Sequence, residues 1–224
     1  KTGNLCPWFD GRGMRPSIET ALHRVLPHKV IFHVHCLNTI SLSIQKKARS
    51  LFSERLKGFN WAFVPYVKPG AELAKAVEKC FSTYEASVYV LENHGLVVCA
   101  ETLTQADALL YAVVKAMKLP RRVPPLPEKM YELHGLNYDN WTTPKHNVCH
   151  AFAVDSILME FLLGGAAYPD HVVYLGRSAK LYTSLKSFVR LNVSDFCECS
   201  AINEIAVIQG VGVLVKGSFG LASE

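Results

Sequence analysis

A chain of 224 residues that is 50% hydrophobic and 19% charged can bury a sizeable core, as one large domain or as one domain with an appendage. Its net charge of +5 is spread thinly, densest at Lys46, Lys47 and Arg49 and again at Arg121-Arg122, without interleaved aromatic residues, which argues against a nucleic-acid surface. No apolar run approaches the roughly 18 residues of a membrane-spanning helix, and seven scattered cysteines, an odd number, do not suggest a secreted disulfide framework. Reduced thiols in a cytoplasmic protein are expected instead. Cys197-Glu198-Cys199 is half of a metal motif at most, because no second CxC or CxxC completes it. The chain opens at Lys1 without a methionine or a signal-peptide pattern, and we read it as a fragment or a processed chain.

In chain order, Pro16-Ser17 opens a helix with Ser17 as N-cap and Glu19 in its first turn, ending before Pro27. Lys29 to His35 reads as a strand. Leu37 to about Lys57 is helical, broken once, and Gly58 closes it. Trp61 to Val67 is a short strand. Pro69-Gly70 is a turn, and Glu72 to Phe81 carries Leu73, Val77 and Phe81 at helical spacing. Ser87 to Leu91 is a strand, interrupted at Asn93-His94-Gly95 and resumed from Leu96 to Cys99. Thr104 to Lys118 is a strong helix.

Leu119 to Lys129, "LPRRVPPLPEK", holds four prolines in eleven residues, which a regular helix or central strand cannot accommodate. It reads as a linker and boundary. Beyond it, Val148 to Leu163 reads as a helix closed by Gly164-Gly165. His171 to Leu175, Phe188 to Val193, Ile205 to Ile208 and Val211 to Val215 read as short strands, with Gly210 and Gly212 permitting a tight turn between the last two. No internal repeat is visible.

One short stretch raises a chemical question. In "IFHVHC", residues 31–36, two histidines stand one residue apart in an apolar run. Residues i and i+2 of a strand share a face, so His33 and His35 point the same way, and Val34 and Cys36 point the other. Two solvated histidines on a half-exposed strand would satisfy this pattern. So would a metal site, because His94 lies on a turn beside Gly95 and three histidines are a common ligand set for a catalytic divalent ion with an open position. Glu19 would supply a carboxylate. Spacing alone leaves both readings open. His23 and His28 read as surface residues, Tyr66 as a packed one, and Asp170-His171 as a pair at a strand start.

Three segments taken together carry a resemblance: "RPSIETALHRVLPHKVIFHVH", then "VPYVKPGAELA", then "LENHGLVVCAETLTQADALLYAVV". Over Arg15 to about Met117 the chain resembles the class II aldolase/adducin family, and within it the zinc-dependent fuculose- and rhamnulose-phosphate aldolases. The combination of PSxE, HxH and NHGL carries the likeness. It implies that His33, His35 and His94 hold a divalent metal, zinc being the expected ion, and that Glu19 is the acid/base. It implies that Ser17 helps to bind a substrate phosphate. A neighbouring serine of the family motif is replaced by Ile18. Gly3-Asn4 is similar to the family's phosphate loop, which places Asn4 among the substrate-binding candidates, although only eleven residues separate it from PSxE where the family has a few tens.

The resemblance implies an α/β fold, a central β-sheet flanked by helices, with a smaller C-terminal α+β appendage. The domains expected are 1–118 (aldolase-like, N-terminus incomplete), 119–129 (linker) and 130–224 (C-terminal extension). The implied activity is that of a lyase, cleaving a C–C bond in a small sugar phosphate or hydroxy-ketone through a metal-stabilised enediolate. The family also includes epimerases, dehydratases and decarboxylases acting on similar substrates, and non-catalytic adducin-like scaffolds. A sugar-sensing protein that keeps the metal is a further alternative. The expected partners are a small-molecule substrate and further copies of the chain, as a tetramer, with neither nucleic acid nor membrane.

Overall fold

The computed structural model describes residues 17–136, 141–176, 179–192 and 204–216. Gly3, Asn4, Cys6 and the Cys197-Glu198-Cys199 stretch lie outside the described residues. The chain divides into two compact units between Pro120 and Arg121. Residues 118–127 carry no regular element.

The first unit is a four-stranded sheet with helices on both faces. Its strands are β1 (Val30–Val34), β2 (Trp61–Val64), β3 (Val88–Leu91) and β4 (Gly95–Ala100), arranged β1-β4-β3-β2. β1 and β4 run antiparallel, as do β4 and β3, while β3 and β2 are parallel. The two central strands, "VYVL" and "GLVVCA", are the near-continuous apolar runs and are buried almost throughout, as strands covered on both faces must be. One face packs Leu22 and Leu26 against Leu73, Val77, Tyr89, Leu91, Val97 and Cys99, under α1 (Thr20–Arg24) and α4 (Ala71–Thr83). The other packs Val88, Val90, Leu96 and Val98 against Leu42, Phe52, Val113 and Met117. Those residues come from α2 (Leu37–Ser43), α3 (Ala48–Arg55) and α5 (Leu103–Ala116).

Several expectations are refined here. The apolar stretch at residues 87–99 is a hairpin of two paired strands rather than one interrupted strand. Asn93, at φ 56°, provides the left-handed residue that the reversal needs. The helix expected from Ser17 starts at Thr20. Glu19 stands at its cap position, and the Ser17 hydroxyl accepts the Glu19 N–H at 3.2 Å in the turn before it. The Ser17 side chain therefore satisfies a local turn, and Glu19 precedes the first helical turn instead of lying within it. Tyr66 is exposed rather than packed.

The second unit has its own four-stranded sheet: β5 (Trp141–Thr142), β6 (Lys180–Tyr182), β7 (Glu204–Ile208) and β8 (Gly212–Lys216), in the order β5-β8-β7-β6. Around it lie 3-10 segments at Glu128–Leu133 and Asn147–Ala153, with helices α6 (Ser156–Leu163), α7 (Pro169–Leu175) and α8 (Leu185–Asn192). The hairpin at Gly210-Gly212 forms as expected, both glycines having positive φ. Two expected strands are helices. Residues 171–175 belong to α7, where Pro169 takes the N1/N2 position that favours a helix start. Residues 188–192 belong to α8, whose Phe188 packs on Trp141 and Tyr182. β-branched residues mislead in both, because strand propensity is weak and context-dependent; Val172 and Val173 of α7 are exposed, and the helix start at Pro169 decides there. The helix expected over residues 148–163 is broken at Asp155, whose carboxylate accepts the Leu158 N–H as the N-cap of α6.

Candidate metal centre

The sheet register determines where the site forms. Ile31 and Val97 belong to the face covered by α1 and α4, and His33, opposite Val97, shares that side. Glu19 leads into α1 on the same side. The β3–β4 hairpin then brings His94 to the end of β1. Gly95 is needed for this approach, since a Cβ there would lie 2.5 Å from the Val34 carbonyl oxygen. The turn is tied down from the opposite layer: Ser43 Oγ, near the end of α2, accepts the Asn93 N–H at 3.0 Å.

The three imidazoles form a nearly equilateral triangle. Ring centroids are 4.9 Å apart for His33–His35, 5.1 Å for His33–His94 and 4.8 Å for His35–His94. One ligand nitrogen from each lies within 4.8 Å of the others. His33 Nδ1 lies 3.1 Å from the Leu96 carbonyl oxygen, to which it donates as the Nδ1–H tautomer. Its Nε2 lone pair then faces His35 Nε2 at 3.2 Å. A tetrahedral zinc with Zn–N bonds of about 2.0–2.1 Å sets its nitrogens roughly 3.3 Å apart. That spacing matches the His33–His35 pair, and a backbone carbonyl orienting the first imidazole is the usual outer support of a metal ligand.

Glu19 completes the corner. Its Oε2 lies 3.6 Å from His33 Nε2 and its Oε1 lies 3.6 Å from His94 Nε2, so the carboxylate straddles the two rings. Burial pushes the His33 imidazole down to about 4, with the nearby His94 and His35 adding to the shift and the Leu96 carbonyl opposing it. A neutral imidazole at neutral pH is the form that can ligate. The donor set, the spacing and the oriented lone pair all fit a divalent cation.

The family model of the class II aldolase and adducin N-terminal domain matches residues 5–120. The chain belongs to the class II aldolase/adducin family. Its members typically hold a divalent metal and act on small molecules. Among relatives, the chain is 37% identical over 95 residues to a Bacillus subtilis (strain 168) protein named uncharacterized oxidoreductase YuxG, a match covering 42% of this chain and 14% of that one. The N-terminal class II aldolase domain of a conserved Thermoplasma acidophilum protein is 31% identical at a TM-score of 0.42, covering 46% of each chain. An aldolase II superfamily protein from Pseudomonas syringae is 24% identical at a TM-score of 0.37, covering 45% of this chain and 41% of the other.

Of the residues singled out from the sequence, the fold brings His33, His35, His94 and Glu19 together. Ser17 precedes Glu19 by two residues and bonds to its backbone. Asn4 lies outside the described residues. Sequence reading missed the supports of the corner. Leu96 acts through its carbonyl, which no side-chain pattern can reveal, and Ser43 looks like any polar residue on a helix. Glu92 was also missed, although it directly precedes the NHGL motif; its carboxylate accepts the Tyr66 N–H at 2.8 Å and pins the loop after β2 to the hairpin.

Proposed function

We propose that this chain carries a metal-dependent lyase site of the aldolase type, cleaving a carbon–carbon bond in a small hydroxy-ketone or sugar phosphate. The observation that carries the reading is the convergence of three imidazoles with one carboxylate spanning two of them. His33, His35 and His94 would hold the ion, zinc being the expected one. When bound, a divalent ion supplies Lewis-acid chemistry, drawing electrons toward a carbonyl oxygen and steadying the negative charge that bond cleavage leaves beside it.

The residues of the chain supply the rest. Cleavage converts the hydroxyl of the departing fragment into a carbonyl and releases its proton. The electron pair of the broken bond stays with the carbon beside the retained carbonyl. That carbon then gains a proton, so one proton is lost and one is taken up. Glu19, which enters from outside the sheet and reaches two of the imidazoles, is positioned to carry it. His33 keeps the orientation imposed by Leu96, and the Asn93 turn keeps His94 opposite it. Ser17 and the N-terminal Asn4 are the residues we assign to a substrate phosphate.

The test needs no knowledge of the natural substrate. An enzyme of this type exchanges a carbon-bound proton of a simple hydroxy-ketone such as dihydroxyacetone phosphate with solvent, which proton NMR in deuterium oxide follows directly. Wild-type protein with zinc should catalyse the exchange, and Glu19→Gln should not. Exchange by neither, with zinc bound, overturns the lyase reading.

A further inference from the structure

The two sheets have one topology. In each, the strands taken in chain order lie first-fourth-third-second, with the first and fourth antiparallel, the fourth and third antiparallel, and the third and second parallel. The agreement continues at residue level. Both third–fourth hairpins close on a three-residue loop, between Leu91 and Gly95 and between Ile208 and Gly212. Asn93 and Gly210, the middle residues, have φ 56° and 73°. His94 N–H donates to the Leu91 carbonyl, and Val211 N–H to that of Ile208. Glu92 N–H reaches back to Val64 on the second strand, and Gln209 N–H to Tyr182.

The same holds where the first strand leads into its helix. Ile31 pairs with Cys99, and Trp141 pairs with Lys216, in matching registers. At a constant offset of 110 residues, α2 (Leu37–Ser43) corresponds to the 3-10 segment Asn147–Ala153. Its last residue plays the same part in both units. Ser43 receives the N–H of Asn93, and the Ala153 carbonyl receives that of Gly210. The core layers agree as well: Val88, Val90, Leu96 and Val98 share one face, and so do Ile205, Val207, Val213 and Val215. In the first unit α5 also covers that face, and in the second the face lines a cavity of about 220 Å³ with Phe161, Tyr168 and His171.

We infer that the described residues of the second unit form a second copy of the fold of the first unit, in which the metal corner has been replaced. The register assigns Thr143 to the place of His33, Lys145 to that of His35 and Val211 to that of His94. A hydroxyl, an ammonium and an isopropyl group offer no set of imidazole-like donors, so the corresponding corner of the second copy is not built to hold a metal, and among the described residues His33, His35 and His94 are the cluster that could hold one. The repeat is faint in the sequence: the corresponding segments "IFHVHCLNTISLS" and "WTTPKHNVCHAFA" share no identical residue, and the hairpins "VYVLENHGLVVC" and "IAVIQGVGVLVK" share only Val90/Val207, Gly95/Gly212 and Val98/Val215. Backbone pattern and burial are retained where identity is lost.

The inference rests on the metal reading of the first corner, and the experiment separates the two. Restoring the ligands as T143H/K145H/V211H in the full chain should create a second three-imidazole corner, since three histidines with an open position suffice for zinc. After zinc loading and gel filtration, elemental analysis should give one ion per chain for the wild type and two for the graft. H33A/H35A/H94A should hold none, and that variant carrying the graft should hold one. A wild type without metal together with a graft that binds one ion would sink the reading of the first corner and leave the repeat standing. A graft with native circular dichroism that holds no more than the wild type overturns the repeat assignment. Val211 is buried and its replacement could unfold the unit, whereas Thr143 and Lys145 are exposed. T143H/K145H alone, in the H33A/H35A/H94A background, should therefore still give weak zinc binding by calorimetric titration that T143H lacks. Absence of that difference also overturns the assignment.

Discussion

Glu19 spans two imidazoles at 3.6 Å each, and that position makes a specific demand on its chemistry. A carboxylate that only ended a turn would tolerate replacement by an amide of the same size, and one that only ligated would lose metal on that replacement. A proton carrier would do neither. Glu19→Gln should keep most of the bound metal and lower turnover by about 10²–10⁴-fold, the scale of general acid–base catalysis. His33→Ala should lose metal and turnover together, because its Nε2 is the lone pair that Leu96 orients. Elemental analysis beside the exchange rate distinguishes the two outcomes. The HxH and NHGL histidines were legible because strand alternation and a turn glycine are local properties. The distance from Glu19 to His33 and His94 was not, since it depends on which face of the sheet receives α1.

Single elements make the corner rigid. Gly95 opens β4 where a Cβ would lie 2.5 Å from the Val34 carbonyl. Gly95→Ala forces the hairpin away from β1 and should cost about 1–3 kcal/mol, the usual range for overpacking. It should also weaken metal binding, because His94 is the preceding residue; urea denaturation and a zinc titration read the two effects separately. In the second unit, Asp155 caps α6 and bonds to Arg122, which holds its carboxyl below the usual carboxylate range; burial works in the opposite direction, and the Leu158 N–H assists Arg122. The sign follows from linkage. A folded-state value below the unfolded one adds stability that is present above the ordinary value of about 3.9 and is lost as pH falls through the folded value. Asp155→Ala should therefore lower the urea midpoint at neutral pH, and its gap from the wild type should narrow below about pH 4.

For the whole molecule, membership of the class II aldolase/adducin family is the ground for expecting an assembly. We expect a homo-oligomer, and light scattering at micromolar concentration should report a mass several times that of one chain. A single-chain mass would remove that expectation without touching the metal corner. Among the described residues no helix is long and apolar enough to cross a membrane, as the short apolar runs of the sequence imply.

By itself the sequence determined what depends on neighbours along the chain. It showed the helices at about 37–57 with one break, 72–81 and 104–118, each within a few residues of the observed elements, the hairpin turn at Gly210-Gly212, the proline-rich stretch near the unit boundary, and the three histidines as candidates. Local propensity and side-chain period carry that information over a few residues. Only the tertiary structure decided what depends on distant packing. α7 and α8 are helices despite their β-branched residues, because strand propensity is a weak preference that Pro169 at the start of α7 and the packing of Phe188 in α8 outweigh. Glu19 meets His33 and His94 because α1 packs on the face that His33 shares. The likeness of the two sheets also appears only in strand order and register. Pairing constrains backbone geometry and the apolar or polar character of each face, and it leaves the identity of most side chains free.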